Sequence, residues 1–204
     1  MGDLVLVGKL VIGLVCVTTT ILLLKHPKPF AIENKSFDRL ALLVTLISRV
    51  GLFAGLYLVM DFKVGSDVGG YYFPEGQAVL EGQMVYRDIK TSYSPLFPYL
   101  MAGILLIWNS AKAIVLSMIP IELISIPLWL GVSRRYFSEQ TTRTATILYV
   151  LSPVPLLNIA MNGQNQVWIS LFLVIALWLL ARKDFASGFL FGISLALIKL
   201  LGLL

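Results

Sequence analysis

The sequence is poor in charge, in cysteine and in histidine. Charged residues make up 13% of its 204 residues and hydrophobic residues 58%, whereas soluble proteins carry about 25% charge. So few charged side chains cannot cover a soluble globule, which excludes a soluble domain and a basic nucleic-acid-binding surface. One cysteine, Cys16, excludes an intrachain disulfide and a Cys-based zinc cluster, and the one histidine, His26, has no neighbouring metal ligand. The composition predicts an integral membrane protein without a metal site.

Long apolar runs are abundant. A helix needs about 20 mostly apolar residues to cross a hydrocarbon core of about 30 Å. Six windows qualify: residues 4–24, 41–60, 113–133, 144–161, 165–181 and 186–204. A further run, Leu96 to Trp108, is short and contains Pro98, so we expect an interfacial or re-entrant helix there. The sequence predicts an all-α, polytopic transmembrane domain over residues 1–204. It ends inside an apolar window, so we expect the natural protein to continue.

Basic residues predict the orientation of these spans, because lysine and arginine concentrate in cytoplasmic loops. With six spans, the loops after the first, third and fifth windows share one side of the membrane. They carry Lys25, Lys28, Lys35, Arg39, Arg134, Arg135, Arg143, Arg182 and Lys183. We therefore expect the amino terminus and the long hydrophilic segment 61–112 on the non-cytoplasmic side.

The segment 61–112 is expected to be an external loop with short interfacial helices. Asp67 lies between Gly65 and Gly69, a pattern that favours a turn at which backbone approaches a ligand. An amphipathic helix is expected from Glu75 to Leu80, with Gly82 ending it. The loop also contains Tyr71, Tyr72, Tyr86 and Tyr93. These tyrosines fit either an interfacial belt at the headgroup level or a binding surface.

An ordered set of motifs runs through residues 61–199. It consists of Asp67, Tyr71, Gly82, Tyr86, Tyr93-Ser94-Pro95-Leu96-Phe97, Ser152-Pro153-Val154-Pro155, Asn162 to Gln166, and Gly188 to Lys199. The set resembles the amino-terminal half of C-type (GT-C) membrane glycosyltransferases. Within them it is most similar to mannosyltransferases that use polyprenyl- or dolichyl-phosphate mannose, although Ser94 stands where that family has proline.

The resemblance implies a GT-C fold and a hexosyltransferase. Such enzymes move a sugar, here mannose, from a polyprenyl-phosphate donor to a hydroxyl of a glycan or glycolipid acceptor, with inversion. The site would face the non-cytoplasmic side of a prokaryotic plasma membrane or of the endoplasmic reticulum, where membrane lipid and the lipid-linked donor are the expected partners. No nucleotide-binding signature is present, which fits a lipid-linked donor and no further cofactor.

The same resemblance assigns roles to individual residues. Asp67 would be the general base, because a carboxylate within hydrogen-bond reach can take the proton of an attacking hydroxyl. Sugar and acceptor would contact Tyr71, Tyr72, Tyr86, Tyr93, Gln164, Asn165 and Gln166, and the phosphate would contact Lys199. Each has a simpler interpretation: Asp67 as a turn cap, the amides as a polar helix start, and Lys199 as a snorkelling lysine.

Two charges lie deep in the apolar windows. Arg49 is near the middle of the second window and Glu122 near the middle of the third. A charge at the bilayer centre costs about 2.5–3.5 kcal/mol, so we expect the two to pair. A pair there is either structural or part of a transport pathway, and a membrane transporter or lipid flippase using Arg49 and Glu122 is the alternative function.

Overall fold

The computed structural model describes residues 2–25 and 31–194. Its helices are α1 Gly2–Lys25, α2 Asn34–Phe53, α3 Phe73–Leu80, α4 Leu96–Ile107, α5 Ala111–Tyr136, α6 Glu139–Val150, α7 Pro153–Ala160, α8 Gln166–Ala181 and α9 Phe185–Ser194. Two π-helical segments, Ala54–Val59 and Val68–Tyr72, extend α2 and lead into α3. No strand occurs in the described part of the chain. The expected all-α class is therefore confirmed there.

Three helices are long and apolar enough to cross a membrane. They are Leu6–Lys25, Asn34–Val59 and Ala111–Tyr136, and they match the first three apolar windows of the sequence. The expected short helix is also present, as α4. Two more apolar helices, α8 and α9, are shorter, and the end of the last window lies outside the described residues.

The fourth apolar window, 144–161, is divided between two helices. Helix α6 ends at Val150, and α7 starts at Pro153 with Ser152 as its N-cap. The Ser152 hydroxyl accepts a hydrogen bond from the Val154 N–H at 3.3 Å, and the proline nitrogen has no hydrogen to donate. The apolar run therefore contains a helix break near its middle.

A buried ion pair fills the space beside this break. The Arg49 guanidinium in α2 donates to the Glu122 carboxylate in α5 through Nε at 3.1 Å and Nη2 at 3.0 Å, and both side chains are 0% exposed. Arg49 Nη1 also donates to the Val150 carbonyl at 2.8 Å. The expected pairing is confirmed, and it satisfies a carbonyl that the break leaves without its helical partner.

The bundle has two ends with different chemistry. We call the end that carries residues 60–66 and 161–165 the loop end. The larger buried cluster lies towards it and includes Tyr57, Tyr72, Phe97 and Val115. At the opposite end, Arg134 bridges to Asp38 at 2.7 Å and to Glu139 at 2.9 Å, which ties α2, α5 and α6 together.

Candidate functional site

Asp67 lies at the start of the helical segment that runs from Val68 to Leu80. Its backbone is helical, with φ −61° and ψ −28°, and the chain turns one residue earlier, at Ser66, where φ is +59°. The turn expected around Asp67 is thus at Ser66. Gly69 lies inside the helical segment, where a Cβ would be 2.6 Å from the Val64 carbonyl oxygen. The close backbone contact at Gly69 is therefore with Val64 of the same chain, whereas the sequence pattern had suggested a contact with a ligand.

Asp67 differs from two other acids of the loop in having no cationic partner. The Asp61 carboxylate bonds Lys112 Nζ at 2.7 Å, and Asp88 bonds Arg87 at 2.7 Å. These hydrogen bonds hold the pKa of both carboxyls below the usual range. Within the described residues, half-buried Asp67 forms no ion pair. Of these three acids, Asp67 is therefore the one whose carboxylate no cationic side chain of the described residues engages.

Aromatic rings surround Tyr93 in front of Asp67. The Tyr93 ring lies 5.0 Å from the Tyr72 ring and 6.2 Å from the Tyr71 ring, measured between centroids, with edge-to-face geometry in both pairs. The Tyr86 hydroxyl donates to the Tyr93 carbonyl at 2.7 Å. The Tyr93 phenol also lies near the Asp67 carboxylate. The structure thus brings together the four tyrosines singled out from the sequence around Tyr93, and Tyr72 and Tyr93 lie near Asp67.

Residues 161–165, between α7 and α8, pack against the residues on either side of Asp67. The Gln164 side-chain amide donates to the Ser66 hydroxyl at 2.8 Å. Gly163 has φ +59°, and a Cβ there would lie 2.7 Å from Val68 Cγ2, so a glycine is required for this close contact. Tyr57 donates to the Met161 carbonyl. These contacts hold residues 161–165 against the residues that flank Asp67.

Several side-chain polar atoms beneath this surface are buried without a hydrogen-bond partner. In the described part of the chain they are Tyr72 Oη, Glu75 Oε2, Ser94 Oγ, Asn165 Nδ2 and Oδ1, and Trp168 Nε1. All come from the segment 61–112 or from the start of α8. The Tyr72 hydroxyl is near the Tyr93 phenol and the Asn165 backbone, but neither contact has hydrogen-bond geometry. Buried polar groups normally have partners, so this cluster has unused capacity to bind a hydroxyl-rich ligand or water.

Burial raises the pKa of three ionisable side chains in this cluster. It raises the pKa of the Tyr72 phenol far above its usual range and also raises the pKa of Tyr93. Both phenols are therefore neutral at physiological pH and can donate a hydrogen bond. Burial also raises the pKa of Glu75, a residue that is 6% exposed.

The remaining site predictions have different outcomes. Asn165 is fully buried next to the tyrosines. Gln166 is exposed at the first residue of α8, and the structure does not bring it into the cluster. Lys199 lies outside the described residues. The sequence analysis missed Glu75 and Trp168; Trp168 lies one helical turn after Asn165, and this three-residue spacing is a signal that could have indicated it.

No metal site is evident: within residues 2–25 and 31–194, no three His, Cys, Asp or Glu side chains form a group able to hold an ion. The site consists instead of the carboxyl groups of Asp67 and Glu75 together with neutral phenols and amides, a set suited to binding hydroxyl groups. No protein-family model, no curated protein and no solved structure matches this chain. The resemblance to C-type glycosyltransferases therefore rests on the sequence motifs alone.

Proposed function

We propose that the protein is an integral membrane glycosyltransferase of the C type with six spans. In this topology the amino terminus, the external loop and residues 161–165 lie on the non-cytoplasmic side. The three long apolar helices support membrane insertion, and the distribution of basic residues supports the orientation. The remaining three spans would be α6 with α7, α8, and the sixth apolar window of the sequence, of which α9 is the described part.

The proposed reaction transfers a sugar, mannose by the family resemblance, from a polyprenyl-phosphate donor. Asp67 accepts the proton of an acceptor hydroxyl as the hydroxyl oxygen bonds to the anomeric carbon of the sugar. The bond from that carbon to the phosphate oxygen breaks on the opposite face, so the configuration inverts and the lipid phosphate leaves with the electron pair. Phosphate is a stable anion, so its departure does not require a second carboxylic acid as general acid.

One observation carries this proposal: Asp67 forms no ion pair among the described residues and lies next to a cluster in which Tyr72 and Asn165 have buried side-chain polar atoms without hydrogen-bond partners. A sugar offers several hydroxyls that both donate and accept hydrogen bonds, which matches phenol, amide and hydroxyl groups together. The tyrosine rings also offer apolar faces to the ring of a bound sugar. By resemblance, Lys199 would contact the donor phosphate.

The test is sugar transfer from radiolabelled polyprenyl-phosphate mannose in membranes that contain the protein, extended to its natural end if the gene continues. Asp67→Asn keeps the size of the side chain and removes its basicity. We expect transfer to fall by at least about 100-fold, a typical contribution of a general base. Asp88→Asn is the matched control, because this acid lies in the same loop but is paired with Arg87, and we expect it to keep activity.

Two results would count against the proposal. If Asp67→Asn accumulates normally and still transfers mannose at the parental rate, Asp67 is not the base. If the full-length parent transfers no sugar to any endogenous acceptor, the glycosyltransferase assignment fails and the transporter becomes the better candidate.

The alternative function, a transporter or lipid flippase, has one observation in its favour. The helix break between α6 and α7 faces the pair of Arg49 and Glu122, and interrupted helices beside charged residues are common in transport sites. The pair is nevertheless closed, bidentate and fully buried. A transporter would depend on this pair for flux, whereas the proposed enzyme depends on Asp67 for transfer.

A further inference from the structure

An apolar groove lies between α1 and the π-helical end of α2, at the loop end of the bundle. Its volume is about 400 Å³. Its walls are formed by Val7, Val11 and Ile12 of α1 and by Leu52, Leu56 and Met60 on the opposite side, with Phe62 and Met161 also lining it. A groove with such walls is suited to a hydrocarbon chain rather than to a sugar.

Lys9 is the charged residue of this lining. Among the described residues it has no hydrogen-bond or ion-pair partner. At about 1.5 Å per residue, Lys9 lies about 24 Å along α1 from Lys25, which would mark the cytoplasmic boundary in the proposed topology. A hydrocarbon core of about 30 Å then places Lys9 about 6 Å below the opposite boundary. A lysine side chain extends far enough to bring its ammonium to the phosphate level.

The groove borders two chain segments that also carry residues of the candidate site. Met161, which lines the groove, accepts a hydrogen bond from Tyr57 and is three residues before Gln164. Gln164 in turn bonds Ser66, the residue that precedes Asp67. Phe62 connects the groove to the same loop from the α2 side. A lipid whose chain occupied the groove would therefore have its polar end next to the segments that hold Asp67.

We propose that this groove binds the isoprenoid chain of the lipid-phosphate donor and that Lys9 binds its phosphate, in place of the Lys199 contact that the family resemblance implies. This inference rests on the proposed function, because it assigns a donor-binding site to that enzyme. The phosphate that joins a sugar to a polyprenyl chain is a diester with one negative charge, and the groove supplies one unpaired positive charge. Charge and hydrophobicity thus match the two parts of the same ligand.

The experiment measures binding to the protein in nanodiscs of phosphatidylcholine. The probe is polyprenyl-phosphate mannose with a photoreactive group in its isoprenoid chain, and uncharged polyprenol with the same group is the reference. We expect Lys9→Gln to weaken binding of the phosphate probe by about tenfold and to leave polyprenol binding unchanged. Lys9→Arg should retain affinity. Lys63→Gln, which removes an exposed lysine of the external loop, should behave as the parent does.

Two further measurements test the proposal: the residues to which the probe crosslinks, and the ability of another anionic lipid to displace it. We expect crosslinks in residues 7–12 and 52–60. Parental affinity in Lys9→Gln, crosslinks elsewhere, or displacement of the probe by an equal amount of phosphatidylglycerol would each overturn the proposal.

Sugar transfer by the same samples separates this proposal from the proposed function. If the parent transfers mannose and Lys9→Gln binds and transfers equally well, the groove assignment fails and the enzyme assignment stands. If the probe crosslinks in the groove in a Lys9-dependent manner but the parent transfers no sugar, the lipid site stands and the enzyme assignment fails.

Discussion

Removing one member of the Arg49–Glu122 pair should destabilise the protein more than removing both. In Glu122→Leu, the Arg49 guanidinium loses two hydrogen bonds, of 3.1 and 3.0 Å, and keeps its bond to the Val150 carbonyl. Breaking a buried pair costs about 3–5 kcal/mol, and a lone charge at the bilayer centre costs about 2.5–3.5 kcal/mol. We expect the free energy of unfolding to fall by about 3–5 kcal/mol in Glu122→Leu, and by a similar amount in Arg49→Leu.

The double variant Arg49→Leu/Glu122→Leu removes both charges and leaves a space that leucine side chains partly fill. Its main remaining defect is the unpaired Val150 carbonyl, which costs about 1–3 kcal/mol. The two single losses sum to about 6–10 kcal/mol, so the double-mutant cycle should give a coupling energy of at least about 3 kcal/mol.

Titration of the protein from mild micelles into dodecyl sulfate, followed by circular dichroism, would measure these losses. Glu81→Gln is the control, because Glu81 is an exposed acid of the segment 61–112 and its loss should change stability by less than about 0.5 kcal/mol. If the losses of the two single variants simply add in the double variant, within about 0.5 kcal/mol, the two charges do not stabilise each other and the reasoning is refuted.

Two further substitutions test the packing beneath the candidate site. Burial raises the folded-state pKa of Glu75 above its ordinary value of 4.5, so the free energy of unfolding should decline as pH rises from 4.5 through that pKa. Glu75→Gln should remove this decline, measured as the change of the melting temperature with pH. The same pH dependence in Glu75→Gln and in the parent would contradict this prediction. Gly163→Ala should cost about 2–4 kcal/mol of unfolding free energy, because a Cβ would lie 2.7 Å from Val68 Cγ2 at φ +59°. Gly82→Ala, at φ +85° in open space, should cost only about 1–2 kcal/mol, and equal losses in chemical denaturation would show that the contact with Val68 is unimportant.

Hydropathy predicted the long helices well because a membrane span is defined by length and apolarity alone. Hydropathy did not predict the break after Val150, because the average over residues 144–161 is not sensitive to single residues such as Ser152 and Pro153. These two residues cap and start a new helix, so the apolar run forms two helices and not one. The pairing of Arg49 with Glu122 was predictable, since two opposite charges at similar depth have few other partners. The third partner, the Val150 carbonyl, depends on the break and could not be inferred without it.

The sequence predicted most residues of the candidate site but not the contacts that bring them together. Motif order selected Asp67 and the tyrosines, yet their meeting with Asn165 depends on long-range contacts such as Gln164 with Ser66. No local pattern specifies such contacts. Glu75 was missed as a buried acid because an amphipathic eight-residue helix does not reveal which of its faces packs against α4.

The contact between Arg49 and Val150 also constrains how the protein is made. The two residues are 101 positions apart, and Arg49 and Glu122 are 73 apart. In a chain synthesised from its amino terminus at about 5–20 residues per second, α2 emerges several seconds before either partner exists. In the proposed topology, Arg49 lacks Glu122 during that interval and adds about 2.5–3.5 kcal/mol to the cost of inserting α2. The stabilisation that the pair gives to the second proposed span is therefore gained only after α5 and α6 have been made.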